Sequence, residues 1–244
     1  MSVLALTLLC VGVAAAGNVL GGAVVTLRRR WDDHLLHYFV ALSAGFMLAA
    51  VMLKMIPEST RLTALAPVLV LGGYLLIHLF EHTVAAHFHF GEETHPERVS
   101  HTTAMSALVG LAVHSLFDGI SIGSGFLIDR TLGFLLFTAI VLHKAPEGFA
   151  IASIVLAAGG SRRRALVAAG AVGGASLLGG LAIFGAPAAA GLALGLSAGV
   201  TLYVAASDLV PEVNKEEGTA IALTVFAGVI LYWATESLLT TLGV

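Results

Sequence analysis

Residues 102–128 read TTAMSALVGLAVHSLFDGISIGSGFLI, and residues 132–158 read LGFLLFTAIVLHKAPEGFAIASIVLAA. Each run is long enough to cross a bilayer as a helix, which takes roughly 20 apolar residues. Each run also carries a histidine and an acid near its middle, where ionisable side chains are costly unless they are paired, hydrated or bound to a metal. The two runs therefore predict membrane helices with a polar site between them.

The composition of the whole 244-residue chain indicates the same class of protein. Apolar residues make up 58% and charged residues 11%, whereas a soluble domain has about 25% charged residues. The 28 glycines are spread through apolar runs, as in membrane helices that pack closely. The net charge of −3 suggests no nucleic acid partner. The single cysteine, Cys10, excludes an intramolecular disulfide.

Eight apolar segments are long enough to span a membrane. The predicted fold is an all-α integral membrane protein with one transmembrane domain. A polar, His-rich linker at 87–101 separates the third and fourth segments. The eight segments cover about 3–27, 36–57, 64–86, 102–128, 132–158, 163–186, 189–210 and 219–242.

Loop charges predict the orientation of the chain. The odd-numbered loops hold eight basic residues, whereas the even-numbered loops hold only Arg61 and Arg130. Basic loops stay on the cytoplasmic side, so we expect both termini outside and the 87–101 linker in the cytoplasm. The eight basic residues are Arg28, Arg29, Arg30, Arg98, Arg162, Arg163, Arg164 and Lys215.

The second and seventh segments are similar in sequence. Residues 42–59 read LSAGFMLAAVMLKMIPES, and residues 196–213 read LSAGVTLYVAASDLVPEV. The two helices would run in opposite directions, which predicts an inverted repeat of helices 1–3 and 6–8 around a central pair, helices 4 and 5. Lys54 and Asp208 occupy equivalent positions, and either they form an ion pair or each reaches the nearer membrane interface.

The central pair carries the candidate metal ligands. His114 and Asp118 are four residues apart, and so are His143 and Glu147, which places each pair on one helix face. Two imidazoles and two carboxylates suit zinc, and they also accept iron, manganese or cadmium. Pro146 would free the Leu142 carbonyl beside this site. The alternative is that these groups only pair between helices and hold the bundle together.

The motifs at 114–119 (HSLFDG) and 143–148 (HKAPEG) resemble those of the Zrt/Irt-like (ZIP) family of divalent metal transporters, in a bacterial-type member. The resemblance implies a secondary transporter rather than an enzyme, in a bacterial inner (plasma) membrane. It implies zinc as the transported substrate, bound by His114, Asp118, His143 and Glu147, with Met47 as a fifth ligand. It also implies a sliding, elevator-like motion of helices 1, 4, 5 and 6 against the other four. Besides the metal and the lipid bilayer, the family suggests a homodimer, although the sequence leaves the oligomeric state open.

The sequence departs from the two-metal pattern of that family at two positions and in one segment. Ser115 and Lys144 follow the motif histidines, where the family often has Asn or Asp, and the sixth segment contains no acid. A lysine would repel a second cation. We therefore expect one metal, with the Lys144 ammonium in place of the second.

Further histidines lie near the end of the third segment. His78, Glu81 and His82 share a helix face, and His87 and His89 follow in the linker, which predicts a loose cytoplasmic zinc site. The same residues spell H-x-x-E-H, a metalloprotease motif. The alternatives to a transporter are therefore an intramembrane metalloprotease and a membrane metal sensor that does not transport.

Overall fold

The computed structural model describes residues 1–27, 33–83, 101–215 and 218–242. Within them it has eight helices long and apolar enough to cross a membrane, which confirms the predicted fold class. The helices are α1 (Val3–Leu27), α2 (Asp33–Ala50, continued by Val51–Met55 and Ile56–Leu62), α3 (Ala66–Thr83), α4 (His101–Ile128), α5 (Arg130–Ala157), α6 (Arg162–Ala182), α7 (Ala190–Tyr203, continued by Val204–Leu209 and Val210–Val213) and α8 (Thr219–Leu242).

Local sequence explains where the central helices begin. The Asp129 side chain accepts a hydrogen bond of 3.1 Å from the Leu132 amide, and the Ser161 hydroxyl accepts one of 3.3 Å from the Arg164 amide. Both are N-caps, which satisfy an amide that the first turn leaves unpaired. Helix α5 continues through Pro146 without interruption. The proline therefore does not end the helix.

The helices pack in pairs that follow the inverted repeat. Helix α2 packs along α8, and its counterpart α7 packs along α3. Likewise α1 packs along α5, and α6 packs along α4. The inverted repeat relates helices 1, 2 and 3 to helices 6, 7 and 8, and it relates α4 to α5. Under this relation the α2–α8 pair corresponds to α7–α3 and the α1–α5 pair to α6–α4, as the sequence predicts.

Glycines mark the closest contacts at equivalent positions of the repeat. A methyl group on Gly45 would overlap the backbone of Val225 in α8, and one on Gly199 would overlap the backbone of Val70 in α3. Gly45 and Gly199 are the glycines of the two LSAG motifs. The two halves of the repeat therefore share the same helix contacts, which form where small residues let two backbones approach.

Helices α2 and α7 each contain a π-helical segment, at Val51–Met55 and Val204–Leu209. These segments include Lys54 and Asp208, the two ionisable residues at equivalent repeat positions. Lys54 does not pair with Asp208: its ammonium lies 3.3 Å from the Glu236 carboxylate in α8. Of the two alternatives for these residues, the ion pair between Lys54 and Asp208 is therefore wrong: α2 packs along α8, which brings Glu236 close to Lys54.

The eight helices form two packed groups. Helices α1, α4, α5 and α6 contact one another, whereas α2 packs on α8 and α3 on α7 in the other group. The groups meet mainly where α4 contacts α7 and where α2 contacts α5. The candidate ligands of α4 and α5 therefore lie within the first group.

Two adjacent glycines of α3 test the close packing. A methyl group on Gly73 would overlap the backbone of Leu196 in α7, whereas Gly72 has open space beside it. Because overpacking costs typically about 1–3 kcal/mol, we expect Gly73→Ala to lower the melting temperature of the purified protein in detergent. Gly72→Ala is the control and should melt at or above the wild-type temperature. Equal melting of the two variants would contradict the packing described here.

Candidate metal centre

Helices α4 and α5 bring the four predicted ligands together. His114, Asp118, His143 and Glu147 are all buried, and one ligand atom from each lies within 4.8 Å of the others. Each helix contributes a histidine and an acid one turn apart, on the face that meets the other helix. Among the described residues, these four form the group of histidines and acids whose ligand atoms are close enough to hold one metal ion.

Three of the four ligand atoms form a nearly equilateral triangle. The Nε2 atoms of His114 and His143 are 3.4 Å apart, and they lie 3.2 and 3.3 Å from Oδ2 of Asp118. Tetrahedral zinc has bonds of about 2.0–2.1 Å to nitrogen and oxygen, so its ligand atoms lie roughly 3.3–3.4 Å apart. The three side chains therefore have the spacing of one face of a zinc tetrahedron.

The ring of His143 is oriented by its own helix. Its Nδ1 atom lies 3.1 Å from the Ala139 carbonyl. A carbonyl only accepts hydrogen bonds, so Nδ1 carries the proton and donates it. The lone pair of the neutral ring is then on Nε2, which faces Asp118 and His114. Metal-binding histidines are commonly fixed by a hydrogen bond of this kind.

Lys144 links the two carboxylates of the site. Its fully buried ammonium lies 2.6 Å from Oδ2 of Asp118 and 2.5 Å from Oε2 of Glu147, and it donates a 2.6 Å hydrogen bond to the Ser115 hydroxyl. Ser115 in turn donates to Oε1 of Glu147 over 2.6 Å. The ammonium and Ser115 thus occupy the space beside the triangle, where Glu147 is held on both of its oxygens.

Sequence reasoning missed one residue that touches the site. The Asn18 amide in α1 donates a 3.4 Å hydrogen bond to Oε2 of Glu147, and Asn18 is fully buried. Its counterpart in the repeat is Ser176 of α6, since the runs NVLGG and SLLGG begin at these two residues. A methyl group on Gly148 would overlap the Asn18 backbone, and one on Gly119 would overlap the Ser176 backbone. The similarity of the two runs relates Asn18 to Ser176 in the sequence, but it does not show that Asn18 contacts Glu147.

Two apolar clusters pack helices α2 and α7 against α5. Met47, the predicted fifth ligand, is fully buried in an apolar cluster that includes Ala139 of α5. A second cluster packs Met55, Leu136 and Leu194 between α2, α5 and α7. The contacts described for Met47 are apolar, and its role as a ligand stays a prediction.

The histidines at the end of α3 do not join this centre. The His78 and His82 rings stack 4.2 Å apart, and His82 Nδ1 lies 2.8 Å from the His78 carbonyl. Glu81 accepts a 2.8 Å hydrogen bond from the Tyr203 hydroxyl of α7. This contact explains why Glu81 faces α7. His87 and His89 lie outside the described residues, so the predicted cytoplasmic site stays a prediction.

Eight helices long and apolar enough to cross a membrane define a polytopic membrane protein, and the buried cluster of imidazoles and carboxylates is a candidate metal centre. The family model described as "ZIP Zinc transporter" matches residues 91–243, and the chain belongs to this family. The family predicted from the motifs at 114–119 and 143–148 is thereby confirmed.

Individual relatives carry the same description. The chain is 30% identical to "Zinc transporter ZIP9" of Xenopus tropicalis over 169 residues, which are 64% of this chain and 55% of the relative. It is 26% identical to "Zinc transporter ZupT" of Shigella dysenteriae over 178 residues, which are 69% of each chain. The chain thus spans about half the length of the ZIP9 relatives that it matches.

The burial of Lys144 leads to a prediction about stability. Removing one partner of a buried ion pair typically costs about 3–5 kcal/mol, because it leaves an uncompensated charge. We expect Lys144→Met to lower the melting temperature of the metal-free protein strongly and zinc to restore part of the loss. Lys54→Met, which removes a half-exposed pair, is the control and should cost about 1 kcal/mol or less. Thermal melting of each variant with a chelator measures the loss of stability, and melting with zinc measures the recovery. A metal-free Lys144→Met protein as stable as the wild type would contradict the prediction.

Proposed function

We propose that this protein is a secondary transporter that moves a divalent metal ion, zinc above all, into the cytoplasm through one site between α4 and α5. The spacing of the three ligand atoms from His114, Asp118 and His143 carries the proposal, since it matches a tetrahedral zinc face. The relatives named as zinc transporters support the same substrate. Iron, manganese and cadmium also accept imidazole and carboxylate ligands, and uptake assays with each of these metals measure the selectivity.

The site is proposed to hold a single transported metal. With both acids and Lys144 ionised and the histidines neutral, the site carries one net negative charge, and one divalent ion reverses its sign. A second ion beside Glu147 would have to displace the ammonium, which contacts both carboxylates. That displacement would leave a buried ammonium without its partners, at a large energetic cost.

Transport is proposed to proceed by an elevator-like motion of α1, α4, α5 and α6. These helices pack as one group around the ligands, so the metal would travel with them. The interface that must slide includes the apolar cluster of Met55, Leu136 and Leu194. Apolar surfaces without interlocking hydrogen bonds slide at little cost.

The direction of transport follows from the predicted orientation. Arg162, Arg163 and Arg164 lie at the start of α6, and Lys215 lies between α7 and α8. Basic residues favour the cytoplasmic side, which leaves both termini outside. We propose the bacterial inner membrane as the location, with the His-rich 87–101 linker on the receiving side.

Flux into liposomes tests the transport function. Protein reconstituted with an internal zinc indicator should take up zinc, and His143→Ala with Glu147→Ala should abolish uptake because the site loses an imidazole and an acid. His82→Ala is the control, since this histidine is exposed at the end of α3, and it should keep most of the flux. Wild-type protein that binds zinc but moves none would instead indicate a sensor. Proteolysis of a membrane substrate that is lost in Glu81→Gln would indicate a protease.

The same liposomes test the motion. In a Cys10→Ser background, an oxidised pair of Leu136→Cys and Leu194→Cys would tie α5 to α7 across the sliding interface. This link should stop the flux until it is reduced. A pair of Val70→Cys and Ala198→Cys would tie α3 to α7 within the other group and should leave the flux unchanged. Undiminished flux in a fully oxidised α5–α7 pair would rule out the elevator motion.

The number of metal ions tests the role of Lys144. Elemental analysis of the purified protein should give one zinc per chain at this centre for wild type. Lys144→Asp replaces the ammonium by a carboxylate, so we expect one additional zinc per chain. Lys144→Gln is the control and should not add a zinc, because it removes the positive charge without supplying a carboxylate. If Lys144→Asp binds no additional metal, the ammonium does not stand in for a second ion.

A further inference from the structure

A groove opens where the start of α4, the end of α5 and the start of α6 meet. Its volume is about 520 Å³. Most of its wall is apolar and includes Met105 and Leu108 of α4, Val155 of α5 and Val167 of α6. Met105 and Val167 are 48% and 63% exposed, so the wall is open to the bilayer that surrounds these helices.

The mouth of the groove is basic. Arg163, Arg164 and His101 line it at the ends of their helices, and all three are exposed. In the part of the chain that the structure describes, neither arginine forms an ion pair. The first turn of α6 contains no acid, although the positive end of a helix dipole favours one. The charge at this mouth is therefore not neutralised by the described part of the protein.

We propose that the groove binds an anionic phospholipid, with the headgroup phosphate at Arg163 and Arg164 and an acyl chain along the apolar wall. The basic and apolar surfaces follow each other as the headgroup and acyl chain of a lipid do. The arginines lie at the helix ends, and the apolar wall continues toward the middle of α4 and α6. Basic pockets between membrane helices on the cytoplasmic side bind anionic headgroups. Arginine is suited to this role since its guanidinium binds phosphate with two parallel hydrogen bonds.

The apolar wall of the groove favours a lipid over free phosphate as the occupant. Phosphate alone would use the arginines and leave Met105 and Val167 uncovered. A zwitterionic lipid such as phosphatidylcholine would cover the wall and offer a phosphate, but its ammonium group would bring a second positive charge close to the arginines. A lipid whose headgroup has a net negative charge and which also has an acyl chain matches both surfaces best.

Native mass spectrometry of the detergent-solubilised protein measures the binding directly. Wild type, titrated with phosphatidylglycerol, should retain it more strongly than phosphatidylcholine with the same acyl chains. Each arginine close to the membrane surface changes the affinity for anionic lipid by about fivefold. We therefore expect Arg163→Gln and Arg164→Gln each to weaken phosphatidylglycerol binding about fivefold, and the double variant roughly 30-fold.

Two further variants separate the site from general surface charge. Arg162 is adjacent but does not line the groove, so Arg162→Gln should bind phosphatidylglycerol as wild type does. Val167→Trp fills the apolar wall and should weaken lipid binding while all three arginines remain. Equal losses in the three single arginine variants, no preference over phosphatidylcholine, or full competition by inorganic phosphate would each overturn the proposal. The assay requires no metal, so its outcome is independent of whether the protein transports zinc.

Discussion

The Lys144 ammonium is held between the carboxylates of Asp118 and Glu147, and all three groups are almost completely inaccessible to solvent. Charges at this depth in a membrane are costly unless they are paired. The pairing requires α4 and α5 to present matching faces, since Asp118 belongs to one helix and Lys144 and Glu147 to the other. It also requires α1 to approach closely, because Asn18 supplies a further donor to Glu147. The arrangement of the central helices is thus fixed by the need to neutralise these charges.

Glycine makes that approach feasible. A methyl group on Gly21 of α1 would overlap the Ala145 backbone, and one on Gly17 would lie 3.1 Å from Cβ of Lys144. Helix α6 meets α4 in the same way, with Gly179 facing the Leu116 backbone. Small residues therefore provide close contact between backbones on both sides of the charged centre. The same residues that appeared in the sequence as a high glycine content thus position the candidate metal ligands.

The helical fold and the convergence of His114, Asp118, His143 and Glu147 could be predicted from the sequence because each depends on a local pattern. Apolar length gave the eight helices, and the i, i+4 spacing gave the ligand faces of α4 and α5. The partners of the remaining polar residues could not be predicted, since they depend on which helices are neighbours. Lys54 illustrates this: the repeat related it to Asp208, but its ion-pair partner Glu236 lies on α8. Asn18 was missed for the same reason, because nothing within α1 alone connects it with Glu147.

The four candidate ligands have different surroundings, and this difference matters for the proposed transport. His114, His143 and Asp118 form a triangle of zinc-like spacing, whereas Glu147 is held by Lys144, Ser115 and Asn18. A Glu147 carboxylate without these partners would bind the ion more tightly and slow its release. A transporter needs a site that is favourable enough to fill and weak enough to empty. The Lys144 ammonium contacts Oδ2 of Asp118 as well as Oε2 of Glu147. In the proposed transport this internal cation would compete with the metal for both carboxylates and so limit the affinity of the site.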